Sequence, residues 1–158
     1  MIDYQRKMKY AQITKRYYPN NKAVENLVWR LSSGTLPQSE WGHEARLTLI
    51  LWAVRQYDRH EAVHFIRETF KKYYRKTLGF VATKNKGHHE TNTLFWTWIV
   101  RGFAQANDEE QSLADLANDL INSELGDEYL IDEYYSSATL QSEEARLYWV
   151  QPDLQSLV

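Results

Sequence analysis

Leu47-Thr48-Leu49-Ile50-Leu51-Trp52-Ala53-Val54 is apolar almost all the way round a helical wheel, with Thr48 as the exception. A helix with no polar face has to be surrounded by others, so this stretch predicts a central buried helix over about 40–57. The segments on either side have the opposite character, one apolar stripe each. Val24, Leu27, Val28 and Leu31 share a face before Ser32-Ser33-Gly34 and Leu36-Pro37 stop the helix. Val63, Ile66, Phe70 and Tyr73 mark the core side of a helix from Asp58 or Arg59 to Thr77, which ends at Leu78-Gly79. A polar loop, 82–87, leads to a helix over 88–106. Leu113, Leu116, Ala117, Leu120, Ile121 and Leu125 then repeat at helical spacing. A further helix is expected over about 3–18, and Ser39 and Ser142 are expected as N-caps. No run of β-branched alternation supports a sheet.

These patterns predict an all-α, compact, single-domain helical bundle over 1–158, with one central helix and an irregular C-terminal tail packed across it. Residues 1–20 form a basic N-terminal segment, and 127–158 an aromatic and acidic tail. The net charge of −2 conceals an asymmetry: residues 1–22 carry six Lys/Arg against one Asp, while 107–158 carry thirteen Asp/Glu against one Arg. The chain lacks cysteine, which removes thiol catalysis and thiolate metal sites. It also lacks a signal-like apolar start and any apolar run near membrane-span length, so a soluble cytoplasmic protein is expected. The basic run Lys71-Lys72-Tyr73-Tyr74-Arg75-Lys76 interleaves aromatics with charge, but it reads more simply as the solvated side of an amphipathic helix than as a nucleic-acid surface.

Two polar segments begin apolar helices: Trp41-Gly42-His43-Glu44-Ala45-Arg46-Leu47 and His88-His89-Glu90-Thr91-Asn92-Thr93. Within about 60° of His43 on the wheel lie Arg46, Leu47, Ile50 and Val54; His89 likewise heads Asn92, Thr93, Trp96, Val100 and Phe103. Up-down-up packing of the helices starting near 40, 58 and 88 would make the first and third parallel and bring their N-termini to one end. His43, Glu44, Arg46, His89 and Glu90 are expected to converge there, beside two helix N-termini that favour an anion.

Two imidazoles and a carboxylate, His43, His89 and Glu90, would suit a catalytic zinc or a facial-triad iron. Without a metal they could act as general acid and base, with Arg46 holding a small anionic ligand. The plainer reading is that they cap helices and hydrogen-bond across the bundle. His60-Glu61-Ala62-Val63-His64 matches the HExxH pattern of zinc proteases, a minor alternative. His64 and His60, however, point about 160° and 120° away from the core stripe, toward solvent. In the tail, Tyr134, Tyr135, Leu140, Arg146 and Trp149 either close over the polar end or pack across the bundle with Arg146 paired to a local carboxylate. Six Trp and eleven Tyr suit a lined pocket or a partner surface.

The ordered series Gly34-Thr35-Leu36-Pro37, Trp41 to Leu47, Gly87 to Thr93, Tyr134-Tyr135-Ser136, Leu140 to Arg146 and Trp149 to Leu154 resembles a family of small bacterial all-helical proteins with no assigned activity. The resemblance runs from about Leu27 to the C-terminus. It implies a helical fold and directs attention to His43, His89, Glu90, Tyr135, Ser136 and Arg146. Where that pattern has histidine this chain has Arg46, which cannot replace an imidazole ligand and repels a cation. The functions expected are therefore a small-molecule enzyme or ligand-binding protein built on His43, His89, Glu90, Arg46, Glu44, Tyr135 and Arg146, or else a non-catalytic interaction or structural protein.

Overall fold

Residues 17–79 and 86–157 are described in a computed structural model. Among them are seven α-helices, three 3-10 turns and no strand. The helix expected over 3–18 and most of the 82–87 loop lie outside the described residues.

Each helix begins and ends for a local reason. Helix α1 (Asn21–Ser33) is capped by the Asn20 side chain, which accepts the Ala23 N–H, and it stops at Gly34, whose φ of 74° is left-handed. Its buried face is Val24, Leu27, Val28 and Leu31, as the spacing predicts. Ser39 does not cap the next helix. It lies in a 3-10 turn over Gln38–Glu40, and α2 (His43–Gln56) starts three residues later behind Gly42, which supplies no side-chain cap. The first N–H groups of α2 therefore carry the positive end of its dipole without a side-chain acceptor. Asp58 caps α3 (Arg59–Lys76) by accepting the Glu61 N–H, and Ser112 caps α5 (Leu113–Asn122) by accepting the Asp115 N–H. Helix α4 (Glu90–Gln105) begins two residues later than expected because His89 is its N-cap.

The core follows from the central stretch. Helix α2 buries Ala45, Leu47, Thr48, Leu49, Ile50, Leu51 and Ala53, and it packs against α1, α3, α4 and α5. Thr48 is accommodated inside because its hydroxyl donates to the Glu44 carbonyl at 2.8 Å and accepts from the Tyr18 hydroxyl at 3.0 Å. The remainder is two 3-10 turns (Glu124–Gly126 and Glu128–Glu133) and two short helices, α6 (Ser137–Leu140) and α7 (Glu143–Leu147), the latter capped by Ser142 as expected. At Gly126 any Cβ would sit 2.3 Å from the Ile121 carbonyl oxygen, so only glycine lets the chain turn this close to the end of α5.

The tail is strapped to α4 by backbone groups. Thr91 donates its hydroxyl to the Tyr148 carbonyl at 2.7 Å and accepts the Val150 N–H at 3.1 Å, and the Tyr135 hydroxyl donates to the Val150 carbonyl at 2.7 Å. No helix among the described residues is long and apolar enough to cross a membrane.

Candidate functional site: a cationic cavity at one end of the bundle

The start of α2, the end of α3 and the start of α4 meet at one end of the bundle. They enclose a cavity of about 190 Å³, lined by His43, Arg46, Leu47, Ile50, Phe70, Tyr74, His88, His89, Asn92, Thr93 and Trp96, with Trp41, Gly87 and Arg146 at its margin of loop and tail. A space of about 150 Å³ already takes a benzene-sized molecule. The walls are aromatic. Trp41 stacks on Tyr73 with centroids 4.6 Å apart and meets Phe70 edge-on at 5.6 Å, and His43 meets Trp96 edge-on at 4.5 Å.

The charge is one-sided. Among the described residues no Asp or Glu lines the cavity, although Asp127 acts on His43 from nearby, whereas two guanidinium groups do. Arg46 lies over the Trp41 ring at 5.5 Å, its Nε is buried, and it makes no side-chain hydrogen bond or ion pair among the described residues. Arg146 donates Nη1 to the Gly87 carbonyl at 3.0 Å. The local carboxylate expected for it is not what it meets, because the tail carries its guanidinium to the Gly87 carbonyl instead.

The three imidazoles differ in what they leave free. His89 Nδ1 accepts the Asn92 N–H at 3.1 Å, so its ring proton sits on Nε2, which donates to the Leu140 carbonyl at 2.8 Å. Both nitrogens are used, one capping α4 and one tethering the tail; burial foremost also lowers its pKa. His43 is 9% exposed and its Nε2 has no partner. Burial first, and then the neighbouring Arg46, bring its pKa down from 6.5 to about 4. His88 hydrogen-bonds Glu90 through Nε2 at 2.8 Å and has its Nδ1 buried without a partner.

Glu90 points out of the cavity. Its carboxylate takes Arg67 Nε at 2.9 Å and Nη2 at 2.6 Å on one oxygen and His88 on the other. Burial pushes its pKa up, but His88 and Arg67 outweigh that and hold it near 2, so Glu90 is a carboxylate and His88 Nε2–H donates to it. With Nε2–H so committed, Nδ1 is the ring nitrogen of His88 left without a partner.

The residues singled out in the sequence therefore separate. His43, Arg46, His89 and Arg146 line one cavity. Glu44 is exposed and lies along a different groove, with Tyr18 and Arg30. Tyr135 is core, 1% exposed, and Ser136 caps α6 and donates to Asp153 at 2.6 Å. The set His43, His89 and Glu90 does not form a ligand shell, because His89 and Glu90 are spent on protein partners. No group of three or more His, Cys, Asp or Glu able to hold a metal ion occurs among the described residues. His60 and His64 are exposed, as the wheel predicts. His88 is the cavity residue that the helical wheel does not single out; the signal for it is Glu90 two residues on, at the first position of a helix.

The His43 shift has a measurable consequence. Its folded pKa lies below its unfolded one, so between pH 6.5 and about 4 the unfolded chain binds a proton that the folded chain refuses. Stability should fall by about 3 kcal/mol as pH drops through that window. In urea titrations across the window, His43→Gln is expected to flatten the loss by that amount and leave the part due to His89; an unchanged slope would show that His43 is not buried neutral.

Fold and cavity together define an all-α domain with a cationic, aromatic-walled cavity at one end of its bundle. Comparison with the models of known protein families, with curated proteins and with solved structures gave no match.

Proposed function

We propose that the protein is a cytoplasmic small-molecule binder whose cavity takes a small organic anion between Arg46 and Arg146, with the unpartnered ring nitrogen of His88, oriented by Glu90, available as a hydrogen-bond acceptor. The observation that carries this reading is Arg46: a guanidinium partly withdrawn from water, without a carboxylate partner among the described residues, at the wall of a cavity that no described acid lines. The buried Nε–H lacks an acceptor, and an anion in the cavity would supply one. The uncapped N-terminus of α2 adds to the same field. The His88–Glu90 arrangement supports that role, since a carboxylate that holds one ring nitrogen fixes the orientation of the other.

Within the family that the sequence resembles, Arg46 would turn a place expected to hold histidine toward anions rather than a metal. A second reading, a protein-docking surface on the tail, is favoured by the exposure of Tyr129 and Tyr148, 68% and 67%.

Thermal-shift measurements with acetate, benzoate, malonate and succinate test the first reading. At a hundredfold excess over Kd the expected stabilisation is about 2.7 kcal/mol. For a chain of this length that is a rise of roughly 5–10 °C. Arg46→Met should abolish the rise without lowering the ligand-free melting temperature. No rise with any of these anions, or the same rise in Arg46→Met, would overturn it.

A further inference from the structure

The opposite end of the bundle gathers a second set of cationic side chains. Arg55, in the last turn of α2, Arg59, the first residue of α3, and Arg101, in α4, line an open groove of about 530 Å³ together with Val54, Tyr57 and Ala104. Arg55 lies about 14 Å along the helix axis from Arg46 at 1.5 Å per residue, so this groove is separate from the cavity.

The three guanidinium groups are poorly matched by the protein. Arg55 donates Nη2 to the Glu109 backbone carbonyl at 2.7 Å, but its Nη1 is buried with no partner, and so is Nη2 of Arg101. None of the three forms an ion pair among the described residues, including with the Glu109 carboxylate that shares the groove. Burial, and then the charge of Arg59, both act against the charged form of Arg101. Three guanidinium charges share the groove with one described acid, Glu109, which pairs with none of them, so they repel one another unless an anion joins them.

We propose that this groove is a binding site for a small phosphomonoester, the phosphate held by Arg55, Arg59 and Arg101 and the ester body lying on Val54, Tyr57 and Ala104. A phosphate dianion presents enough acceptor oxygens for several planar guanidinium forks at once, which one carboxylate does not. The Tyr57 ring, 37% exposed, gives the organic part an apolar surface. The site is independent of the cavity and does not rest on the function proposed for it.

Calorimetric titration of phenyl phosphate and of inorganic phosphate tests the proposal on the wild type, Arg46→Met, Arg59→Ala and Arg101→Met. Phenyl phosphate should bind more tightly than inorganic phosphate and keep its affinity in Arg46→Met within about twofold. Arg101→Met should weaken it at least tenfold. Arg59 is exposed, so Arg59→Ala puts folding at little risk, and it should weaken binding several-fold. Ligand-free Arg101→Met should melt at or above the wild-type temperature, because it removes an unpaired charge. Absence of saturable binding, loss of binding in Arg46→Met with retention in Arg101→Met, or a ligand-free Arg101→Met that melts several degrees lower would each overturn the site, the last by showing that Arg101 serves the fold alone.

Discussion

Replacing Glu90 by leucine should lower stability by about 3–5 kcal/mol, because it leaves two cationic or polar partners without their carboxylate. Glu90 is the first residue of α4 and its side chain is 13% exposed. It holds Arg67 through two nitrogens and His88 through one. Removing it strands Arg67 and also frees the His88 ring to turn. Urea unfolding of Glu90→Leu, Arg67→Met and the double variant closes a double-mutant cycle. The double variant should be more stable than the Glu90 single variant, since the stranded guanidinium has gone with its partner. A loss under 1 kcal/mol in Glu90→Leu would mean that solvent screens the pair as it does at a surface. Acid should act on the same group. Its folded pKa of about 2 lies below the ordinary 4.5, so its contribution is complete above pH 4.5 and is lost as pH falls toward 2. Glu90→Gln should be insensitive over that interval in its share of the slope.

Leu51→Ala should cost a similar 3–5 kcal/mol, for a reason that lies in the fold rather than the site. Leu51 has no exposed surface and sits on a helix packed by four others, so truncation opens a cavity that the surroundings cannot close from one side. The melting temperature should drop by roughly 6–20 °C. His64→Ala, at an exposed position of α3, should change it little. A Leu51→Ala loss near 1 kcal/mol would show that α2 is not the centre of the core.

The apolar stretch over 47–54 made the fold legible, because a helix without a polar face leaves a single kind of place to put it. Caps were legible only where a side chain makes them. Ser142 does; Ser39 has the right chemistry, but a 3-10 turn intervenes and α2 starts behind Gly42. At the site, wheel geometry placed His43 and Arg46 on the inner stripe and sent His60 and His64 outward. It misjudged 88–90, because those residues lie at the helix boundary, where the wheel has no meaning. His89 is spent as a cap, Glu90 turns toward Arg67, and His88, before the helix, keeps the free nitrogen. Arg67 as the partner of Glu90 and Gly87 as the acceptor for Arg146 could not be read from sequence, since both contacts join segments far apart in the chain.

The most direct measurement of the anion cavity is the long-range nitrogen–proton NMR spectrum of the five imidazoles, recorded as the strongest stabilising anion is added to wild type and to Arg46→Met. The account predicts that the resonances of His43 and His88 move to saturation in the wild type. His89, with both nitrogens bonded, should keep its Nε2–H tautomer, and His60 and His64 should not respond. In Arg46→Met, all five should stay still. Equal shifts in the two proteins, or a response confined to His60 and His64, would contradict it.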